Sequence, residues 1–135
     1  MEETMEEIRK GGCHCGAVRY VARGPMRGIV YCHCTQCRKQ SGHYFAATNC
    51  MTEALEVTGA ENLTWYRASQ EARRGFCSRC GSALFWRRDG AATTSMLAGS
   101  LDNPTGLKAV SHIFVADKGD YYTIDDGLPQ FQHYD

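Results

Sequence analysis

The sequence predicts an all-β (β-rich) domain of short strands built around clustered cysteines. Two observations carry that expectation. Short apolar segments recur between glycine, proline and asparagine turn signals, too short for helices and often alternating with polar residues. Eight cysteines fall into three tight groups plus one alone, a pattern of converging half-sites rather than of a scattered disulfide set.

In chain order, residues 1–10 (MEETMEEIRK) form an acidic leader expected to be flexible, and residues 11–135 form a single domain. Residues 17–22 (AVRYVA) put Val18 and Tyr20 on one face of a strand, which Gly24-Pro25 breaks. Residues 29–31, 44–48, 55–58, 63–67 and 75–76 continue as strands, and Gly59 marks a turn. Residues 83–88 (ALFWRR) lead into Asp89-Gly90, a favoured hairpin dipeptide, and then into a strand at 93–97. The stretch 101–106 is a loop, 107–115 a long apolar strand and 121–124 a last strand. Only residues 36–42 suit a helical turn.

At 135 residues with 43% hydrophobic content, the chain matches one compact core. Its longest apolar stretches fall far short of the roughly 20 residues of a membrane helix. The leader lacks the basic start and apolar stretch of a secretory signal, so a cytoplasmic protein is expected. Fifteen basic and fifteen acidic residues cancel, which argues against nucleic acid or an anionic membrane as partner. With seven thiolates and two Zn²⁺ the balance moves to about −3. Arg73, Arg74, Arg79, Arg87 and Arg88 are read as solvating an edge and offsetting thiolate charge.

The cysteine groups are Cys13 and Cys15, then Cys32, Cys34 and Cys37, then Cys77 and Cys80, with Cys50 alone. A CxxC turn aims two sulfurs at one point, and Gly81 after Cys80 permits the backbone such a knuckle needs. Cys77 and Cys80 require one more pair to make a four-sulfur zinc site. Spacing leaves two sources open: Cys13 with Cys15, or two of the cysteines at 32, 34 and 37. A disulfide framework is disfavoured by the missing export signal and by the awkward bridge between cysteines one residue apart.

Four runs resemble the glutathione-dependent formaldehyde-activating enzyme family, which includes the centromere protein V group. They are GCHCGAVRY at 12–20, CHCTQCR at 32–38 with Ser41-Gly42, FCSRCG at 76–81, and HIFVADK at 112–118 with LPQF at 128–131. The resemblance extends from Gly11 to Phe131. It implies an Mss4-like fold of short antiparallel strands, with Cys13, Cys15, Cys77 and Cys80 holding a structural zinc. It further implies a second, catalytic zinc on Cys32, Cys34 and Cys37. The implied activity is that of a carbon-sulfur lyase, S-(hydroxymethyl)glutathione synthase-like, which joins a small-molecule thiol (glutathione or similar) to an aldehyde such as formaldehyde, or reverses the step. The chain is shorter than the founding enzyme, and no glutathione-gripping segment matches.

Three protein ligands leave the fourth position of a tetrahedral ion open, and a thiol held there is acidified into a nucleophile. Arg38, next to Cys37, is assigned to offset thiolate charge and hold an anionic substrate, against the plain alternative of a surface salt bridge. Cys50 is expected to pack as a small hydrophobe, its rival role being a fourth ligand to the trio. His14 and His33 point away from the ligands on an extended backbone. His43 and His112 are weighed between pocket and core, and His133 belongs to the tail. Trp65, Tyr66, Phe85, Trp86, Phe114, Tyr121 and Tyr122 are read as mostly core, with one or two walling a cleft. The alternatives to an enzyme are a zinc-stabilised thiol-carrier or protein-binding module, and a zinc or redox buffer.

Overall fold

The computed structural model describes residues 7–134. The strands in chain order are β1 (Ile8–Gly12), β2 (Arg19–Arg23), β3 (Ile29–Cys32), β4 (Phe45–Met51), β5 (Leu55–Thr58), β6 (Leu63–Arg67), β7 (Ala72–Cys77), β8 (Ala83–Arg88), β9 (Thr93–Leu97) and β10 (Ala109–Ile113). One helix, α1 (Thr35–Ser41), interrupts them, together with single 3₁₀ turns. The expected all-β class and the lone helical segment are both present. Among the described residues no helix is long and apolar enough to cross a membrane.

The strands make two sheets. β1-β2-β5 is antiparallel throughout, and the larger sheet runs β10-β3-β4-β9-β8-β7-β6, antiparallel except where β10 pairs with β3. Their facing sides enclose the core: Tyr20 and Ala22 from the small sheet, with Val18 just before β2, meet Cys50, Leu84, Phe85 and Met96 from the large one. Tyr20 and Phe85 pack edge to face at 5.3 Å. Full burial of such side chains stabilises the fold by roughly 1.5–3 kcal/mol each. The Tyr20 hydroxyl is not left unpaired, because it meets Ser100 Oγ at 2.6 Å.

Strand alternation gives the large sheet two different faces. Cross-strand pairing aligns Tyr66, Arg74, Trp86, Ser95 and Asn49 in one row. Four of these, Arg74, Trp86, Ser95 and Asn49, line a cavity on the side away from the core. Cys50, one residue after Asn49, therefore points into the core, where it is 2% exposed.

Several boundaries differ from the sequence reading. Ile8, Arg9 and Lys10, assigned to the flexible leader, are the start of β1, where pairing with Val21–Arg23 overrides their polar character. Residues 1–6 of that leader lie outside the described residues. β7 is longer than the two residues expected, since β6 and β8 flank it on both sides. Residues 121–124 are not a strand; the Lys118 ammonium bonds the Tyr122 carbonyl at 2.6 Å and holds this stretch in an irregular turn. The tail beyond it returns along β10, where His112 N and Phe131 N bond Pro129 O and His112 O at 2.9 Å.

Gly59, between β5 and β6, has φ 77°, and a Cβ there would lie 1.8 Å from the Ala17 carbonyl oxygen. Gly90 in the β8–β9 turn has φ 75° with open space around it. Gly90→Ala is expected to cost about 1–2 kcal/mol, the left-handed penalty alone. Gly59→Ala adds a backbone clash and should cost clearly more, as read by urea denaturation of the two variants side by side.

Candidate metal centres and the adjoining cavity

Cys13 and Cys15 sit in the turn between β1 and β2. Cys13 is fixed by its amide bonding the Val18 carbonyl at 3.0 Å, while its Sγ accepts from the Val18 amide at 3.3 Å. Cys77 ends β7, and Gly81 N closes the knuckle onto the Cys77 carbonyl at 2.8 Å with Gly81 at φ 80°. The two knuckles touch where His14 N bonds Ser82 Oγ at 3.1 Å. All four sulfurs, from Cys13, Cys15, Cys77 and Cys80, lie within 4.8 Å of one another. The 13–15 and 15–77 separations are 3.6 and 3.8 Å. A disulfide needs about 2.05 Å. A tetrahedral zinc–thiolate site, with Zn–S near 2.3 Å, spaces its sulfurs by about 3.8 Å. The donor set and its spacing fit a zinc ion.

The four thiols are not equivalent. Ser82, through hydroxyl and amide, holds Cys80 down to about 5. The Ala17 amide favours the Cys15 thiolate, yet burial and the neighbouring thiols outweigh it and push Cys15 up to about 11. Proton sharing of this kind is what close-packed sulfurs produce, and an ion that replaces the shared protons removes the conflict.

The second group is built by the strand-to-helix junction. Cys32 ends β3, Cys34 is the N-cap of α1 with its Sγ accepting from Cys37 N at 3.3 Å, and Cys37 lies in the first turn of the helix. The three sulfurs also lie within 4.8 Å of one another. Hydrogen bonds from the Cys32 and Cys37 thiols draw Cys34 well below the usual thiol range, and those donated to Cys34 and Cys37 push Cys32 far above it. Three sulfurs with these spacings fit one soft metal ion with a coordination position to spare. Cys50 belongs to neither group among the described residues, and burial raises its thiol pKa.

The trio opens into a cavity of about 280 Å³ lined by residues of β3, α1, β4, β7, β8 and β9, with Phe114 and Tyr134 from the C-terminal region. Trp86 and Phe114 are the cleft-walling aromatics foreseen from the sequence. Phe85 is true core, whereas Tyr66 and Tyr121 are exposed. Arg38 does not line this cavity. Among the described residues its Nε is buried without a hydrogen-bond partner.

The guanidinium at the trio is that of Arg74. Its Nη2 donates to Cys37 Sγ at 3.4 Å and to Gln36 Oε1 at 2.8 Å, and its Nε also donates to Gln36 Oε1, at 3.0 Å. It stacks over Phe45 at 4.6 Å. Gln36 is in turn anchored through Nε2 to the Ala68 carbonyl at 2.9 Å. Arg74 hides inside an arginine run, and only alternation separates it from Arg73, which lies over Trp65 at 4.9 Å. That period-two signal was available, but its value depended on knowing that α1 covers this face of β7.

The histidines take up the opposite side. His33 is fully buried; its Nδ1 meets the Tyr122 hydroxyl, its Nε2 meets His112 Nδ1 at 2.8 Å, and His112 Nε2 meets Asp126 Oδ2 at 2.8 Å. Burial lowers His33 to about 4, so it stays neutral at neutral pH. His14 is exposed, His43 bonds the Tyr121 hydroxyl at 2.8 Å, and the His133 carbonyl accepts from Phe114 N. The sequence marks Tyr122 only as one of the aromatics and Asp126 not at all, because both reach the histidines from an irregular segment.

Comparison with known proteins accords with this arrangement. Residues 8–117 match the sequence profile of the family described as glutathione-dependent formaldehyde-activating enzyme. A Halomonas elongata protein named a putative glutathione-dependent formaldehyde-activating enzyme is 40% identical over 86 residues, 58% of this chain and 55% of that one. An uncharacterised lyase of Schizosaccharomyces pombe is 34% identical over 77 residues, 57% of this chain and 56% of that one. The matches thus span little more than half the length of these curated relatives. A solved Rhodobacter sphaeroides protein shares the fold with a TM-score of 0.59 at 23% identity, over 90% of this chain and 98% of that one. Together with the two cysteine groups, the profile match over residues 8–117 makes this chain a member of the glutathione-dependent formaldehyde-activating enzyme family.

Proposed function

We propose that the chain is a carbon-sulfur lyase that forms or cleaves a thiol–aldehyde adduct, with one structural zinc on Cys13, Cys15, Cys77 and Cys80 and a reactive zinc on Cys32, Cys34 and Cys37. The observation that carries this reading is the contrast between the two groups. Four sulfurs close the first around a common centre, whereas three sulfurs open the second into a cavity.

Zinc held by the trio would leave one position for a substrate thiol and lower its pKa, so that the thiolate exists at neutral pH. In the forward direction a carbon-sulfur bond would form between the substrate sulfur and the aldehyde carbon. The thiol proton leaves to solvent, and the carbonyl oxygen takes up a proton to become a hydroxyl; the reverse step breaks the same bond. The protein's own contributions are positional and electrostatic. Phe45, Trp86 and Phe114 exclude water from the cavity, and Arg74 opposes the negative charge of the thiolates. That charge role passes from Arg38 to Arg74. Thiols such as glutathione and aldehydes such as formaldehyde are the reactant classes, and the family description and the name of the Halomonas elongata relative support this choice. A cytoplasmic setting, in which thiols stay reduced, suits seven metal-binding cysteines.

Purified protein is expected to hold two zinc ions per chain by elemental analysis, and one ion or none would overturn the two-site reading. Cys77→Ser should unfold the domain, because structural zinc contributes apparent values of about 10–16 kcal/mol to folding. Cys34→Ser should keep the circular dichroism spectrum and melting transition, yet lose adduct formation from a thiol and formaldehyde. If the wild type binds thiols without turnover, the chain is a thiol-binding module and not a lyase.

A further inference from the structure

Strand alternation puts Arg73 and Arg87 on the side of the large sheet opposite the cavity, the side that carries Trp65 and Phe85. The two arginines are direct cross-strand partners in β7 and β8, and like charges in that relation repel. Both guanidinium groups lie over the same indole, 4.9 and 4.8 Å from the centre of Trp65, and both residues are half-buried. Arg67, the other neighbour of Arg73 in this row, is neutralised by Asp89 at 2.7 Å. Among the described residues no carboxylate lies within ion-pair distance of Arg73 or Arg87, and Arg73 Nε is buried with no hydrogen-bond partner. Burial, and after it the charge of Arg73, lowers the Arg87 pKa. The indole attracts each cation, yet it carries no charge to cancel theirs. Two hydroxyls complete the cluster. Arg87 Nε donates to Thr94 Oγ1 at 2.9 Å, and Thr94 Oγ1 meets Thr52 Oγ1 at 2.8 Å. Only one of the two hydroxyl protons lies between the threonines, so the other has no acceptor among the described residues.

We propose that Arg73 and Arg87, with Thr52 and Thr94 beside them, form a second ligand site that binds a phosphate group. The site is separate from the sulfur trio and goes beyond the lyase reading. Two fixed cations match the charge of a phosphate monoester, about −1.5 to −2 at neutral pH, whereas a carboxylate would leave one of them uncompensated. Each guanidinium presents parallel N–H donors that suit phosphate oxygens, and the spare threonine proton supplies one more donor. The rings of Trp65 and Phe85, stacked at 6.1 Å, keep water from one side, where charge interactions are less screened. The chain's formal net charge of zero gives no broad attraction for a polyanion, so the ligand is a small phosphate compound and not a nucleic acid.

Trp65 reports on this site directly. The full chain carrying Trp86→Phe, which leaves Trp65 as the single indole, is titrated with inorganic phosphate at neutral pH and constant ionic strength while tryptophan fluorescence is recorded. The signal should change and saturate with phosphate and stay flat with acetate. Phosphate should also raise the melting temperature of the wild type, since a ligand of the folded state stabilises it. Arg73→Gln and Arg87→Gln should each weaken phosphate binding about tenfold or more, and Arg87→Lys, which keeps the charge and loses the fork, should restore part of it. Circular dichroism melting without phosphate checks that each variant is folded. Arg88→Gln, at an exposed neighbour, and Arg27→Gln, in the cavity of the trio, should leave phosphate binding unchanged. A second titration uses glycerol 3-phosphate: tighter binding than inorganic phosphate assigns the site to a phosphomonoester, and the reverse order assigns it to free phosphate. The inference is overturned by a wild type that shows no saturable response in either measurement, by a response that both Arg73→Gln and Arg87→Gln leave intact, or by one that Arg27→Gln abolishes. None of these readings involves turnover, so failure of the lyase reading would leave them untouched.

Discussion

The structure depends on four sulfurs brought together from two turns far apart in the chain. Cys15 and Cys77 are 62 residues apart, yet their sulfurs lie 3.8 Å from each other. One turn belongs to the small sheet and the other to the large one, so this convergence clamps the two sheets at one end of the core. Tyr20 against Phe85 does the same work by packing. A domain of this size buries a modest core, and an ion at the clamp would add folding energy that short strands cannot supply alone. Reactive chemistry at that centre would require a vacancy that four cysteines do not leave.

The three-sulfur group lies elsewhere, and strand alternation decides where. The large sheet offers one face to the core and the other to the cavity, so adjacent residues of β4 serve different ends. Asn49 lines the cavity while Cys50 packs in the interior. On β3, Cys32 faces the cavity and His33, one residue on, turns to the other side. Helix α1 then completes the trio through Cys34 at its cap and Cys37 in its first turn. The same helix brings Gln36 over β7 to fix Arg74, so that a single short element supplies two sulfurs and the brace for their counter-ion.

Behind the trio, the chain of Tyr122, His33, His112 and Asp126 joins β3 and β10 to the irregular C-terminal segment. Every ring nitrogen in it has a partner, which lets two histidines be buried beside one another without leaving polar groups unsatisfied. The backbone of Cys32 and Cys34 is thereby held from the face opposite the cavity. The parallel pairing of β10 with β3 makes this possible, because it lays His112 beside Tyr31, next in sequence to Cys32.

By itself the sequence determined the local facts. Period-two segments and turn dipeptides marked most of the strands, Gly81 marked the knuckle, and the spacing of CxC, CxCxxC and CxxC marked the candidate ligands. Those signals are legible because they act over a few residues of backbone. Which pair completes the Cys77–Cys80 half-site was not legible from spacing, since both choices satisfy the same local geometry. Arg38 looked like the trio's cation because it is next to Cys37 in sequence. Arg74 occupies that place because β7 and α1 are brought together across 37 residues of chain. The segment 121–124 looked like a strand because its composition suits one, and it is irregular because a lysine and a buried histidine hold it from outside. Charge partners, cavity walls and histidine contacts are set by long-range packing, and that is decided only when the two sheets close on each other.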